Sequence, residues 1–393
     1  DPAATPSGDT PLTLAEYRDI LDEIQNQPRE WRRAADAEMD YAEGNQLKTE
    51  LLQAMKAQGI PPSMENVIAP ALEAIRGYEE ATRTDWRVTP NGQPGGQDVA
   101  DAINFKLSEA ERNAKADDAC GAAFYPQIAV GLGWVEVARS DDPFAYPYQT
   151  NAIHRNEIHF PFDAKEDMSD ARWLRRQRWL HPSRVVNVFP EHRDLIREFG
   201  KAGINWWSMY DELAYGGAST GLSRAFDVAR ERTQMEDRWY NPYNKEVCLS
   251  ELWYRRWAST IVLKSPDGRV VEYDPANPAH DYAVAKRTVQ FKRATVAKVR
   301  RSYWLGPHVL FDGPTPYAHR FFPYVPFWGF REDSTKVPFG YVRNMLYQQD
   351  TLNSGNSRLR WGMSAYRVTR TKGAVAMADD VFRRTVGRVD ADI

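Results

Sequence analysis

Only two of the 393 residues are cysteine, Cys120 and Cys248. Thiols that far apart make no disulfide framework and no zinc-binding spacing, and they suit a reducing compartment. No apolar run reaches the about 20 residues a membrane-spanning helix needs, and no charged n-region followed by an apolar stretch opens the chain. Net charge is −3, from 51 Lys plus Arg against 54 Asp plus Glu, so any contact with nucleic acid must be local. Internal repeats and low-complexity tracts are missing too.

The motifs of catalysis are equally scarce. There is no G-x-x-x-x-G-K-[ST] loop, no G-x-G-x-x-G turn and no G-x-S-x-G elbow, which argues against a nucleotide motor and a serine hydrolase. His154, Glu157 and His159 lie close in sequence, but their spacing is not H-E-x-x-H. In an alternating strand the two histidines point to opposite faces. The acid pairs Asp117–Asp118, Asp141–Asp142 and Asp379–Asp380 are adjacent residues, a pattern of solvated loops and helix surfaces rather than of converging ligands. The expectation is a protein without catalytic residues, metal or cofactor.

What the chain has in excess is aromatic: 13 Trp, 19 Tyr and 16 Phe. Aromatic side chains bury large areas at low entropic cost and are enriched at permanent interfaces. One core takes most of them, and the remainder call for a partner surface. Length alone allows about two to three domains.

The N-terminal part reads as helical. Thr13 and Glu16 form a capping box, followed by Leu14, Tyr17, Ile20, Leu21 and Ile24 at helical spacing. A second helix starts near Pro28 with Trp31, Ala35 and Met39 on one face. A third carries Leu47, Leu51, Leu52 and Met55 and ends at Gly59 and Pro61–Pro62. Glu65 to Thr82 is a fourth. Arg83 to Pro90 reads as a strand, Asp98 to about Val130 as one long helix, Gly131 to Arg139 as a strand, Asn156 to Phe162 as a strand and Ser169 to Trp179 as a basic helix. From Cys248 onward, short alternating runs are split by Asp267–Gly268 and Asp312–Gly313–Pro314, which points to an antiparallel sheet. The fold class is therefore α+β. Within that sheet Lys286, Arg287, Lys292, Arg293, Lys298, Arg300 and Arg301 follow one another with no acid between them. They suit phosphate, or more simply a solvated sheet face or an acidic neighbour.

The stretch from Phe321 to Tyr366 is the most telling. A proline-punctuated apolar run leads through a polar loop into a helix over Phe339–Tyr366, roughly 40 Å long at about 1.5 Å per residue. Met345, Leu352, Leu359 and Tyr366 are spaced by sevens and form an apolar packing seam; a parallel row, Val342, Gln349, Asn356 and Met363, is polar at its centre. Gly355 and Gly362 each cost about 1 kcal/mol against alanine and imply close approach or a bend. The region from Phe339 to Lys372 holds Arg343, Arg358, Arg360, Arg367, Arg370 and Lys372 against one acid, Asp350. Such a helix wants copies of itself alongside. In a ring, Arg343, Asn356, Arg358 and Arg360 would line a DNA channel; the alternative is that the arginines bridge neighbouring helices.

A family resemblance rests on RTDWRV (Arg83 to Val88), DVADAIN (Asp98 to Asn104), AERNAKADDAC (Ala110 to Cys120), GWVEVAR (Gly133 to Arg139), IHRNEI (Ile153 to Ile158), DARWLRR (Asp170 to Arg176) and FFPYVPFWGF with FGYVR (Phe321 to Arg343). Their order and spacing resemble the portal, or head-to-tail connector, proteins of short-tailed double-stranded-DNA bacteriophages from about Trp31 to Ile393. The resemblance implies a homo-oligomeric ring, usually a dodecamer, at one capsid vertex of the virion, assembled in the host cytoplasm and serving DNA packaging and DNA ejection. It implies contacts with double-stranded DNA, terminase, a tail adaptor and capsid proteins, and none with membrane. On that pattern residues 1–82 are a helical part of a peripheral wing, 83–338 its α+β part, 339–366 the first stem helix and 367–393 the start of a clip, with a second stem helix and crown expected beyond. The opening DPAATPSGDTP is expected to be the end of a longer tail. A different class, an aromatic-rich carbohydrate-active enzyme or binding module, is the alternative that the Trp, Tyr and acid content supports.

Overall fold

Long antiparallel strands and short helices alternate along the chain in the computed structural model. It describes residues 10–202, 239–364 and 377–386, apart from 29, 48, 58–61, 84–85, 91, 93–94, 141, 242–243, 267, 269, 275–276 and 287. In chain order the elements begin with α1 (Leu14–Asn26), α2 (Glu30–Ala42), α3 (Thr49–Ala57), α4 (Ile68–Thr82), α5 (Gly96–Asn113) and α6 (Ala116–Val130). Then come β1 (Leu132–Arg139), β2 (Tyr148–Ile153), β3 (Ile158–His159), β4 (Trp173–Leu180), α7 (Pro182–Val188) and α8 (Arg193–Ala202). After these follow β5 (Tyr240–Asn241), β6 (Glu246–Lys264), β7 (Val270–Glu272), α9 (Pro278–Ala285), β8 (Gln290–Leu305) and β9 (His308–Pro314). The last are β10 (Tyr324–Trp328), β11 (Phe330–Arg331), β12 (Pro338–Phe339), α10 (Tyr341–Ser364) and α11 (Asp379–Val386). No helix among the described residues is long and apolar enough to cross a membrane.

The chain divides into two compact units, each made of two separated segments: 1–28 with 154–325, and 29–153 with 326–393. This division follows burial, which joins segments far apart in the chain.

The first unit is built on an antiparallel sheet ordered β3-β4-β6-β8-β9, with β5 and β7 also paired to β6. Its spine is the β6–β8 hairpin, in register from Leu249↔Leu305 to Lys264↔Gln290. Helix α1 lies on this sheet, with Tyr17 stacked on Trp304 at 4.1 Å between ring centroids and Leu21 and Ile24 in the same core as Trp173, Val247 and Leu252. The expected capping box is present: Thr13 and Glu16 bond each other's backbones. The segment Ser169–Trp179 is not a helix. It supplies β4, which pairs with β6 from Trp173↔Tyr254 to Leu180↔Val247. Its charges are matched inside the sheet: Arg175 donates to Ser250 Oγ at 2.7 Å, Arg176 to Glu157 at 3.0 Å and Arg178 to Glu251 at 3.1 Å. Pairing on both edges outweighs a helix-like pattern of basic residues. The strand expected over Asn156–Phe162 shrinks to β3.

Two buried carboxylates knit the sheet. Glu251 accepts from Trp253 Nε1 (2.8 Å), Arg178 and Tyr324 Oη (3.1 Å each). Asp312 accepts from Arg300 at 2.6 and 3.0 Å, from Tyr254 Oη at 2.7 Å and from the Leu12 backbone N–H at 3.1 Å. The basic run of β8 thus meets acids and rings of its own unit. Lys298 pairs with Glu272 at 3.1 Å, and Arg301 lies over Trp253, Tyr303 and Phe311. Lys292 and Arg293 are exposed, and Arg287 is outside the described residues.

Glu16 also receives both Arg256 Nη atoms at 2.6 Å. That hydrogen bond is the chief reason its carboxyl is lowered from 4.5 to about 2. A depressed folded value stabilises above the unfolded value and is lost as pH falls. The Glu16–Arg256 link therefore holds at pH 5 and weakens from about 4.5 down to about 2. Acid titrations of stability are expected to show a shallower fall over this window in Glu16→Gln than in the parent; identical slopes would remove Glu16 from the acid response.

The second unit centres on α6, which packs with α2, α4, α5, β1 and α10. The helix expected over 98–130 is two, α5 and α6, broken at Lys115, whose φ is +54°. Residues 86–90 form no strand. Asn104 of α5 holds them instead, accepting from the Val88 N–H at 2.7 Å and donating to its carbonyl at 3.1 Å. One asparagine side chain thus substitutes for a partner strand, and Trp86 is left 94% exposed.

Candidate functional site

Helix α10 covers nearly all of the span read as the key helix. Its start is fixed by a crossing of backbones. Gly329 N–H donates to the Gly131 carbonyl at 2.9 Å, and Gln127 Nε2 to the Trp328 carbonyl at 2.8 Å. A Cβ on Gly131 would collide with the Phe339 backbone, and one on Gly340 with the backbone of Ala129 and Val130. Phe330 stacks on Phe339 (5.5 Å) and meets Tyr341 edge-on (5.1 Å). Arg343 lies over Phe339 and pairs with Glu332 at 2.7 Å and with the buried Glu38 at 3.9 Å. Hydrogen bonds from Thr335 and Arg343 lower the Glu332 pKa.

One face of α10 is turned into the unit, and it is polar. Gln349, Asn353 and Ser357, spaced by four, are buried, with Val342 one heptad before Gln349. They bond residues 63–67, which lie outside any helix or strand and lead into α4. Ser357 Oγ accepts from Ser63 N–H (3.4 Å) and donates to its carbonyl (3.3 Å). Asn353 Oδ1 accepts from Glu65 N–H (3.1 Å), Gln349 Nε2 donates to the Glu65 carbonyl (2.6 Å), and Gln349 Oε1 accepts from Val67 N–H (3.3 Å). The match is geometric: four helical residues rise roughly 6 Å, and two extended residues about 6.6 Å. A helix presenting a polar side chain every fourth residue can therefore satisfy every second residue of an antiparallel extended chain. Buried backbone groups need such partners. Asn353 Nδ2 also reaches Gln46 Oε1 (2.6 Å), Asn356 Nδ2 reaches Glu65 Oε2 (3.1 Å), and Tyr41 Oη donates to Asp350 (2.8 Å). Burial, followed by that bond to Asp350, pushes Tyr41 up to about 12.

Elsewhere on the helix, apolar and arginine side chains reach the surface. Tyr347, Leu359 (63% exposed) and Met363 (78%) face outward, as do Arg358 and Arg360. Among the described residues, nothing outside the helix's own adjoining backbone lies within 4 Å of a Cβ built on Gly355 or Gly362. Among the residues expected in a packing seam, Met345 and Leu352 are half-buried, Leu359 is exposed and Tyr366 lies outside the described residues. Among those expected to line a channel, Arg343 and Asn356 have partners within the chain, and Arg358 and Arg360 are exposed. Arg367, Arg370 and Lys372 are outside the described residues. The polar residues Gln349, Asn353 and Ser357 thus lie inward, and the apolar residues Leu359 and Met363 are exposed toward the C-terminal end of the helix. Among the described residues no three His, Cys, Asp or Glu side chains converge on a metal position. The arrangement offers packing and positive charge, with no group poised to attack or to transfer a proton.

A search of curated proteins finds no match. The model of a family described as phage P22-like portal protein matches residues 18–393.

Proposed function

The chain belongs to the phage P22-like portal protein family, and from that premise we propose that copies of it close into a ring, a dodecamer, through which double-stranded DNA is packaged and ejected. The family is structural and non-enzymatic, which removes the carbohydrate-active reading, and its members are oligomeric components of the capsid vertex. In this reading the ring, assembled in the host cytoplasm, is the docking platform for terminase and then for the tail adaptor. Helix α10 is the stem, the residues before it form the wing, and 367–393 begin the clip.

The observation that carries the ring is the outer face of α10. Leu359 and Met363 are exposed on a helix whose polar side is already consumed by its own unit. Two interior glycines, each about 1 kcal/mol worse than alanine in a helix, have no close neighbour among the described residues that would require them. A second helix approaching that face supplies the reason for both. Arg358 and Arg360, repeated around the ring, give a belt of positive charge that acts on phosphate without reading sequence.

Sedimentation and negative-stain top views of the purified protein test this. The parent is expected to give rings with rotational symmetry. Leu359→Asp should leave the subunit folded, since the position is exposed, yet abolish ring closure by placing charge in an apolar contact. Arg358→Ala combined with Arg360→Ala should keep rings and weaken DNA retention in packaging assays. A Leu359→Asp protein that still forms normal rings would reject α10 as the packing helix.

A further inference from the structure

A ring joined head to tail needs two different surfaces on each copy, and the chain carries two exposed apolar surfaces of opposite charge. The first is α5. A helix lying on a protein normally turns its apolar stripe inward. Helix α5 buries Ala100, yet Val99, Ile103 and Leu107, four apart on one stripe, are exposed together with Phe105, 72% exposed. Trp86 stands on the segment that Asn104 holds to the same helix. Residues 68–118 hold ten Asp plus Glu against six Lys plus Arg, a net of −4.

The second surface is the outer half of the β6–β8 hairpin, from Trp257↔Ala297 to Lys264↔Gln290, with β7 and α9 beside it. Trp257 is 61% and Phe291 55% exposed, and Val270 and Tyr282 are exposed as well. Lys264, Lys292 and Arg293 share this end of the hairpin and are also exposed. Residues 257–298 hold seven Lys plus Arg against four Asp plus Glu, a net of +3.

We propose that the outer β6–β8 hairpin of one copy docks on α5 of the next copy in the ring, an inference that rests on the ring reading above. Apolar surface of this kind, rimmed by charge, marks an interaction site. Opposite net charge draws hairpin to α5. Like charge keeps hairpin from hairpin and α5 from α5, so the contact is directional and propagates around the ring.

The full chain is tested with two charge reversals, Asp98→Lys with Asp101→Lys and Lys292→Glu with Arg293→Glu, made separately and together. All four positions are exposed, so the subunit keeps its fold. Each reversal alone is expected to raise the protein concentration needed for assembly by roughly tenfold or more, and the combination to restore assembly. Independently, Phe105→Cys with Phe291→Cys should give covalent multimers on oxidation of assembled protein. Normal assembly of both reversals, with no cross-link or one confined within a single chain, overturns this contact and leaves the ring standing. A parent protein that is monomeric at every concentration overturns the ring reading and this inference with it.

Discussion

Gly340→Ala is expected to cost the second unit roughly 3 kcal/mol or more. Overpacking usually costs about 1–3 kcal/mol because neighbours can shift. Here the clashing atoms are the backbone of Ala129 and Val130 at the C-terminal end of α6, whose carbonyls and N–H groups are fixed in a helix and cannot swing aside as a side chain does. Gly131→Ala should do the same from the other side of the crossing, with the added penalty of a non-glycine residue at φ +90°. Urea unfolding followed by proteolysis of the 29–153 region reads the effect. Gly355→Ala is the control. With open space around it and an interior helical position, it should leave the isolated subunit as stable or slightly more so. Equal destabilisation by Gly340→Ala and Gly355→Ala would mean that helix α10 is not pinned at the glycine crossing.

Asp312→Ala is expected to cost about 3–5 kcal/mol. The Arg300 guanidinium is nearly buried, with 8% of its side chain exposed, and Asp312 is its only acidic partner within salt-bridge distance among the described residues. Removing the carboxylate strands a charge inside the sheet, takes the acceptor from the Tyr254 O–H and frees the Leu12 N–H at the entry to α1. Arg300→Met in the same background should recover much of the loss, because the uncompensated charge goes with it. Glu16→Gln, whose carboxylate is 39% exposed, should cost far less at neutral pH. A Chemical denaturation midpoint for Asp312→Ala close to that of Glu16→Gln would contradict a buried ion pair at this place.

Much of this was legible in the residues. The capping box at Thr13 and Glu16, the sheet after Cys248 and the long helix before Tyr366 each follow from local pattern, because capping, alternation and helical period are written within a few residues. Strand β4 was not legible as a strand. Its identity depends on β6, some 75 residues away, and on Glu157, Ser250 and Glu251, which absorb its arginines. Residues 86–90 misled in the opposite sense, since alternation without a partner strand leaves only irregular chain. In α10 the heptad rows were visible, but their orientation was not. The deciding signal is a polar side chain at every fourth residue, Gln349, Asn353 and Ser357. It acquires meaning only beside the irregular 63–67 stretch, more than 280 residues earlier.

The ladder between α10 and residues 63–67 has a thermal consequence. A hydrogen bond exchanged for water changes free energy by only about 1 kcal/mol, and polar surface lowers the heat capacity of opening where apolar surface raises it. Opening this polar ladder therefore contributes little to the heat-capacity change. Its free energy thus runs nearly straight with temperature, without the curvature by which apolar packing weakens in the cold.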